Sequence, residues 1–347
     1  MRVLVTGAAG RVGANMVRRL RAAGADVRAM VLPGDPQRAK LDGLDGVEIV
    51  EADLGDQSAV DAATRGVTHV VHLAAQLVRG DTPVDRFYDV NAFGTLRLLE
   101  GVVKSGGVER FLLASTDGTY RPGDPPLVPL PEDAPQVPAD YYGTAKLLGE
   151  VILRNHAVQY DIPFAITRFA TVLDPAEARR YFRVASVRTM LRRVELGRDS
   201  NIWPLFRQNP ELAELFDDAV GDAADDVAVG LTGPDGPWSI HLLDVRDAVE
   251  GLYLALTVPA ATGRAFNITA AEPTTFEDGA DVVAELDGVP RLSVRLPLTW
   301  RLEMAVDAAR DILGYRPRHD FRAMVESAIA AESGGTGATD SFVPARI

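Results

Sequence analysis

Tyr142 and Lys146 stand four residues apart in Tyr142-Gly-Thr-Ala-Lys146. On a helix that spacing puts both side chains on one face, directed at one spot. A phenol titrates near pH ~10, too high for an efficient acid or base at neutral pH. A lysine charge beside it stabilises phenolate, and a lowering of about 3 pH units corresponds to roughly 4 kcal/mol. The same ammonium can hold a ribose hydroxyl. Alone, the pattern is equally an accident of an exposed helix face. Here it follows a strand-like stretch that ends in Ala114-Ser115-Thr116, so hydroxyls can meet the phenol at one sheet edge.

A second constellation opens the chain. Val3, Leu4 and Val5 form the apolar run of a buried parallel strand, Thr6-Gly7 breaks it, and Ala14 to Ala23 reads as a helix. Gly7, Gly10 and Gly13 occupy the turn between them. Missing Cβ atoms let the backbone turn tightly, approach a pyrophosphate and pack the helix on the strand. The helix N-terminus adds free N–H groups and partial positive charge. The G-x-x-G-x-x-G spacing is one residue wider than the commoner dinucleotide pattern, so the glycines alone also fit another kind of α/β turn.

Such residues need a scaffold, and the first half of the chain supplies one. Strand patterns at 26–32, 47–50, 68–73, 110–114 and 163–169 alternate with helical patterns at 57–64, 83–105 and 141–160. This alternation predicts an α/β fold, a Rossmann-type doubly wound parallel sheet with its ligand at the carboxyl ends of the strands. Residues 1–173 are expected to form the dinucleotide-binding domain and 174–332 a smaller mixed α/β substrate-binding region. Within the latter, 174–236 reads as an insertion with its own helices, and segments after 238 rejoin the main sheet. A strand is expected at 238–242, helices at 244–257, 275–287 and 299–313, and a flexible tail at 333–347.

Composition excludes several function classes. The net charge of −13 argues against a nucleic-acid or anionic-membrane partner. The chain has no cysteine, which removes disulfides, thiolate metal sites and cysteine nucleophiles. Its five histidines lack a zinc spacing, so no metal is expected. No apolar segment of about 18 residues and no signal-peptide pattern is present, and a cytoplasmic protein is expected.

Taken together, the motifs resemble those of the extended short-chain dehydrogenase/reductases, the NAD-dependent epimerase/dehydratase group. The matching segments are Thr6-Gly7-Ala-Ala-Gly10-Arg-Val-Gly13, Asp53-Leu54, His72-Leu-Ala-Ala75, Asn91 to Glu100, Ser115-Thr116-Asp117 with Tyr120, and Tyr142…Lys146. Later come His241-Leu-Leu-Asp244, Phe266-Asn-Ile268 and Leu313-Gly-Tyr-Arg-Pro317. The resemblance implies that Tyr142 is the acid/base, Lys146 its electrostatic partner and ribose anchor, and Thr116 a hydrogen-bond partner of the reacting oxygen. Gly7, Gly10 and Gly13 would hold the pyrophosphate, with Ala9, Arg11 and Val12 completing the turn. Asp53 and Leu54 would flank the adenine, Leu32 and Asp35 the ribose, and Leu73, Ala74 and Ala75 the middle of the cofactor. Asn91 would stand on the cofactor side as a brace rather than a reacting group. Between NAD and NADP the sequence leans to NAD: Asp35 can reach a ribose hydroxyl, while Arg11, Arg38 and Lys40 can instead meet a 2′-phosphate.

Three departures bear on the substrate. Asp117 is followed by Gly118 where family dehydratases carry a glutamate, which disfavours dehydration and leaves Asp117 a candidate catalytic carboxyl or a plain loop residue. Thr171 replaces the asparagine of nucleotide-sugar members, and Pro237 stands where many carry a diphosphate-clamping arginine. Arg179, Arg180, Arg183 and Arg188 can take over that clamp or simply form a solvated, acid-paired face. Gln76, Thr116, Thr171, Trp203 and Trp238 are the candidate substrate contacts, the tryptophans being equally suited to core packing. The expected activity is NAD(P)-dependent hydride exchange at a secondary alcohol or ketone of a small molecule, a sugar or natural-product intermediate. A nucleotide-sugar epimerase is the first alternative and a non-catalytic cofactor-binding sensor or scaffold the second. Family members pair through two long helices, so a homodimer through 83–105 and 141–160 is expected.

Overall fold

Seven parallel strands form the central sheet of a computed structural model that describes residues 1–77, 82–120, 128–199, 207–333 and 342–345. They are β1 (Arg2–Thr6), β2 (Asp26–Val31), β3 (Val47–Glu51), β4 (His69–His72), β5 (Arg110–Thr116), β6 (Phe164–Phe169) and β7 (Arg264–Ile268). The sheet order is β7-β6-β5-β4-β1-β2-β3, so the winding reverses at β1, between β2 and β4. Successive residues feed opposite faces: Val3, Val5, Leu112 and Ala114 enter one core, and Leu4, Phe111 and Leu113 the other. Burial on both faces is why these strands are nearly continuous apolar runs.

Helices α1 (Arg11–Ala22), α2 (Gln57–Thr64), α3 (84–105) and α4 (Tyr141–Tyr160) cover the first half of the sheet. Beyond β6 come α5 (Pro175–Tyr181), α6 (Val184–Arg192), α7 (Leu212–Val220), α8 (Val245–Thr257), α9 (Phe276–Asp287) and α10 (Phe321–Glu332). Side-chain caps stop the fraying of most of them: Asp56, Asp140, Asp174, Asp244, Thr275 and Asp320 each accept a backbone N–H of the first turn. Helices α3, α6 and α7 start without such a cap, and so does α1. Its N-cap is Gly10, and no side chain caps it.

The C-terminal half departs from the sequence pattern in three places. Within the 174–236 stretch, Ala228–Gly233 is a strand that pairs in parallel with Arg291–Arg295. Instead of one strand at 238–242 there are two short ones, Ser239–Ile240 and Leu242–Asp244, in different sheets. The expected helix at 299–313 is split: Arg301–Leu302 pairs with Ser239–Ile240, and only 307–313 is helical. Trp300 explains the split, because its ring is buried against Trp238 and Phe276, which holds its neighbours extended against the sheet. The tail also differs from expectation. Val343 is buried, and its backbone N–H and C=O bond to the Asn15 side chain at 2.7 and 2.9 Å.

A buried ion pair ties the sheet to α4. The carboxylate of Glu150 accepts from Arg168 Nε at 3.0 Å and Nη2 at 2.8 Å, and from Ser115 Oγ at 2.5 Å. Burial alone would raise the Glu150 pKa, but the Arg168 guanidinium holds it below the usual range. Removing one partner of such a pair leaves a bare buried charge. Glu150→Gln is therefore expected to cost about 3–5 kcal/mol in a urea unfolding curve.

Candidate active site

Three close backbone approaches assemble the crevice, and each needs a glycine. Gly7 has φ +65°, and a Cβ there would stand 2.8 Å from the Ala74 nitrogen, just after β4. A Cβ on Gly13 would fall 2.1 Å from the Gly7 oxygen, so α1 lies directly on the turn. A Cβ on Gly143, beside Tyr142, would fall 2.1 Å from the Gly118 oxygen. That contact seats the turn after β5 against the first turn of α4 and brings Thr116 to Tyr142.

Thr6 fixes the β1–β4 edge. Its hydroxyl accepts from Leu73 N at 3.2 Å and Ala74 N at 3.1 Å, so its own hydrogen goes to His72 Nδ1 at 2.7 Å. His72 Nε2 then donates to Thr95 Oγ1 at 3.1 Å. Burial, with Lys146 nearby, lowers the His72 pKa to about 3 and keeps the ring neutral.

Thr116 is buried at the end of β5 and is fully engaged. It accepts from Gly118 N at 3.1 Å and donates to Asp117 Oδ1 at 3.0 Å, and its hydroxyl is also hydrogen-bonded with the Tyr142 phenol. The lysine-lowered phenol expected from the sequence is not what the structure holds. Burial, followed by the charges of Asp117 and Asp140, pushes the Tyr142 pKa well above its ordinary value, and the Thr116 bond only partly offsets this. Asp140 caps α4 through Gly143 N at 2.6 Å. Burial raises Asp117 and Asp140 to about 6 each.

Lys146 is 3% exposed and makes no hydrogen bond or ion pair among the described residues. Burial lowers its pKa to about 8, against the opposing charge of Glu150. Its ammonium keeps a small accessible surface and has no protein acceptor among the described residues, so ribose hydroxyls would complete it. At the other end of the crevice, the first-turn N–H groups of α1 have no capping side chain. A Cβ on Gly10 would meet only the Gly7 oxygen, at 3.2 Å, with open space otherwise. An uncapped helix start, an open glycine turn and an unpartnered lysine together fit a dinucleotide.

The other candidates fall into groups. Asn91 braces Gln76, its amide accepting from the Gln76 N–H at 2.8 Å and donating to its C=O at 3.0 Å, and so orders the segment after β4. Asp53 turns back to Gly55 N at 2.8 Å, Leu54 packs under Gly94, and Leu32 is exposed at the end of β2. Asp35 caps its own loop through Gln37 N at 2.9 Å. Ala9 offers its carbonyl to Lys40 at 3.2 Å, Val12 packs on the core, and Ala75 is partly buried after β4. Arg11 is drawn away from the turn to Val172 O and Glu177, so it is a bridge to α5 rather than a phosphate ligand. Thr171 lies partly buried in the short strand Thr171–Leu173.

Trp238 must be withdrawn as a substrate contact. It is completely buried, donates to Leu298 O at 2.8 Å and packs on Phe276 and Trp300. Trp203 lies outside the described residues. The arginines proposed as a diphosphate clamp are largely acid-paired: Arg179 and Arg183 with Asp287, Arg188 with Asp217 and Asp225, while Arg180 is exposed. Sequence reasoning missed Thr6, Asp140 and Gly143. A signal for the last two was present in Asp140-Tyr-Tyr-Gly143, a capping residue with a glycine at the third helical position. No cluster able to hold a metal occurs among the described residues, and none of their helices is long and apolar enough to cross a membrane.

Asp117 carries a stability cost. Its folded pKa of about 6 exceeds the ordinary 3.8, so stability falls as pH rises between those values and the loss persists above. Asp117→Asn is expected to add about 1–3 kcal/mol at pH ~7 and nothing at pH ~4, read from urea unfolding at the two values.

The family model described as "NAD dependent epimerase/dehydratase family" matches residues 3–269. A UDP-glucose 4-epimerase of Azospirillum brasilense is 28% identical over 348 residues, covering 95% of this chain and 92% of the relative. Among solved structures, a short-chain dehydrogenase/reductase superfamily protein of Agrobacterium tumefaciens with bound NAD superposes with TM-score 0.80 and 31% identity, over 96% of this chain and 98% of that one. A UDP-glucose 4-epimerase of Thermotoga maritima shares the fold at TM-score 0.71 and 22% identity, over 96% and 100%.

Proposed function

The chain belongs to the NAD-dependent epimerase/dehydratase family of short-chain dehydrogenase/reductases and is an enzyme of that class; from that premise we propose that it binds NAD and interconverts a secondary alcohol and a ketone on a sugar-like small molecule. The observation that carries this reading is the Tyr142–Thr116 pair beside an unpartnered Lys146. Gly7, Gly10, Gly13 and the uncapped start of α1 would hold the pyrophosphate, and Lys146 the nicotinamide-side ribose. When bound, NAD supplies a hydride acceptor or donor and, in its oxidised form, a positive charge in the crevice.

Tyr142 handles the proton. With its pKa raised by burial and two carboxyls, it rests as a neutral phenol and is ready to donate to a developing alkoxide as a ketone is reduced. In the reverse direction it accepts the alcohol proton, and Thr116 keeps its oxygen in line because Asp117 and Gly118 lock the threonine hydroxyl. The paired arginines and Pro237 favour net oxidation or reduction of a substrate without a diphosphate. A 4-epimerase of a nucleotide sugar is the second reading, supported by what the curated relatives are named. Incubation with NAD and a panel of sugars and nucleoside-diphosphate sugars separates them. Stoichiometric absorbance at the NADH band supports the first reading, and conversion of UDP-glucose to its 4-epimer without net NADH supports the second.

Tyr142→Phe is expected to lower turnover at least ~100-fold while leaving NAD affinity nearly intact, measured by steady-state rates beside calorimetric binding. Wild-type turnover in that variant would overturn the assignment. We also infer a homodimer through α3 and α4, because Leu148, Val151 and Val158 form an exposed apolar stripe on α4 and Phe93 is exposed on α3. Light scattering of the 37.3 kDa chain should give twice that mass, and Val151→Arg should halve it.

A further inference from the structure

Three cations, Arg11, Arg38 and Lys40, belong to the start of α1 and the loop after β2, the elements a ribose 2′-phosphate would approach. Arg11 is held by Glu177 and Val172 O, and Arg38 by Glu51 at 3.3 Å. Lys40 has no carboxylate partner of its own in hydrogen-bond reach. It is 6% exposed, and its ammonium bonds Ala9 O of the glycine turn at 3.2 Å and Ala345 O at 2.8 Å. Released from Ala345, its ammonium would have two donors free to turn toward a 2′-phosphate beside the glycine turn.

The acceptor that completes Lys40 comes from a segment more than three hundred residues away. That segment, Phe342 to Ala345, is seated on buried polar groups rather than draped on the surface. Val343 exchanges both backbone bonds with Asn15 of α1, at 2.7 and 2.9 Å. Ala345 N donates to Asp174 Oδ2 at 2.8 Å, while Oδ1 of the same carboxylate caps α5. Phe342 lies under the Arg246 guanidinium, 5.8 Å from its ring centre. Asn15, Lys40 and Asp174 are each less than one-tenth exposed, so each relies on this segment for part of its hydrogen bonding.

We propose that residues 342–345 act as a cofactor-selectivity strap: by supplying the Ala345 carbonyl they hold Lys40 on the glycine turn and deny it to a 2′-phosphate, which biases the enzyme to NAD over NADP. The inference rests on the NAD-binding reading above. A strap of this kind explains why a basic residue in the NADP-favouring position coexists with that reading. It makes cofactor choice a property of tertiary docking, with no acidic residue at the end of β2 required.

The test is direct binding of NAD and of NADP by calorimetry, which needs no substrate. The intact chain is expected to prefer NAD. A chain ending at Ser333, or the full chain carrying Asn15→Leu, should gain about tenfold in NADP affinity relative to NAD, about 1.4 kcal/mol. Adding Lys40→Met to either variant should abolish that gain, while Lys40→Met in the otherwise intact chain should leave the NAD/NADP ratio unchanged. Circular dichroism checks that each variant is folded. If the shortened chain does not fold, Asn15→Leu, which cuts two of the strap's bonds, decides the matter. An equal change in both affinities, or selective loss of NADP binding by Lys40→Met in the intact chain, would overturn the strap while leaving the NAD reading in place. Failure of the intact chain to bind either cofactor would instead overturn that reading, and the strap with it.

Discussion

Backbone touching backbone is the constraint on which this site depends. Strand β1 must end close enough to β4 for Gly7 to meet Ala74, and α1 must start close enough for Gly13 to meet Gly7. The turn after β5 must in turn reach Gly143 on α4. Each contact leaves no room for a Cβ, so each fixes the residue as glycine and fixes the distance between two elements within a fraction of an ångström. Thr6 holds the first seam through the Ala74 N–H, Asp140 caps the start of α4 at Gly143, and Asn91 orders the segment after β4 through the Gln76 N–H. The reacting groups inherit their geometry from these seams rather than from contacts with one another.

Electrostatics in the crevice run against stability. A buried ammonium stands without an acceptor, a phenol is held protonated, and two carboxyls sit where burial raises their pKa. Elsewhere in the interior, charges are matched: Glu150 with Arg168, and Asp244 with Arg246. Lys40 and Arg110 are also buried without a carboxylate but bond backbone carbonyls, whereas Lys146 has no acceptor among the described residues. Unmet polarity concentrated in one crevice is what a binding site retains so that a ligand can complete it.

The fold of the first half was legible because its strands are buried on both faces and its helices are amphipathic, so period and composition agree. The placement of Tyr142 and Lys146 on one helix and the strand–turn–helix around the glycines were legible for the same reason: regular elements declare their period. What sequence could not give was the sign of the phenol's pKa shift. That depends on Asp117 and Asp140, which reach Tyr142 through turns whose geometry no periodicity encodes. The second half was misread wherever tertiary pairing overrode local pattern. Residues 299–313 have a helical period, yet burial of Trp300 in an aromatic cluster draws its neighbours into a strand pair. Trp238 belongs to that same cluster, which is why a residue that looked like a pocket wall is core.

Charge in the second half has a related logic. Arginines at 179, 183 and 188 read either as a clamp or as an acid-paired face, and Asp287, Asp217 and Asp225 come to them from distant parts of the chain. Partly exposed ion pairs of this kind add little stability individually, and their consequence is that these guanidiniums are not free cations. With Pro237 in place of a clamp, a substrate's diphosphate would have to displace carboxylates already bonded to those guanidiniums. A neutral or singly charged substrate meets no such competition. The same partnering principle operates on the cofactor side at Arg11, Arg38 and Lys40. What the count of basic residues along the sequence leaves out is therefore the partner each cation already has.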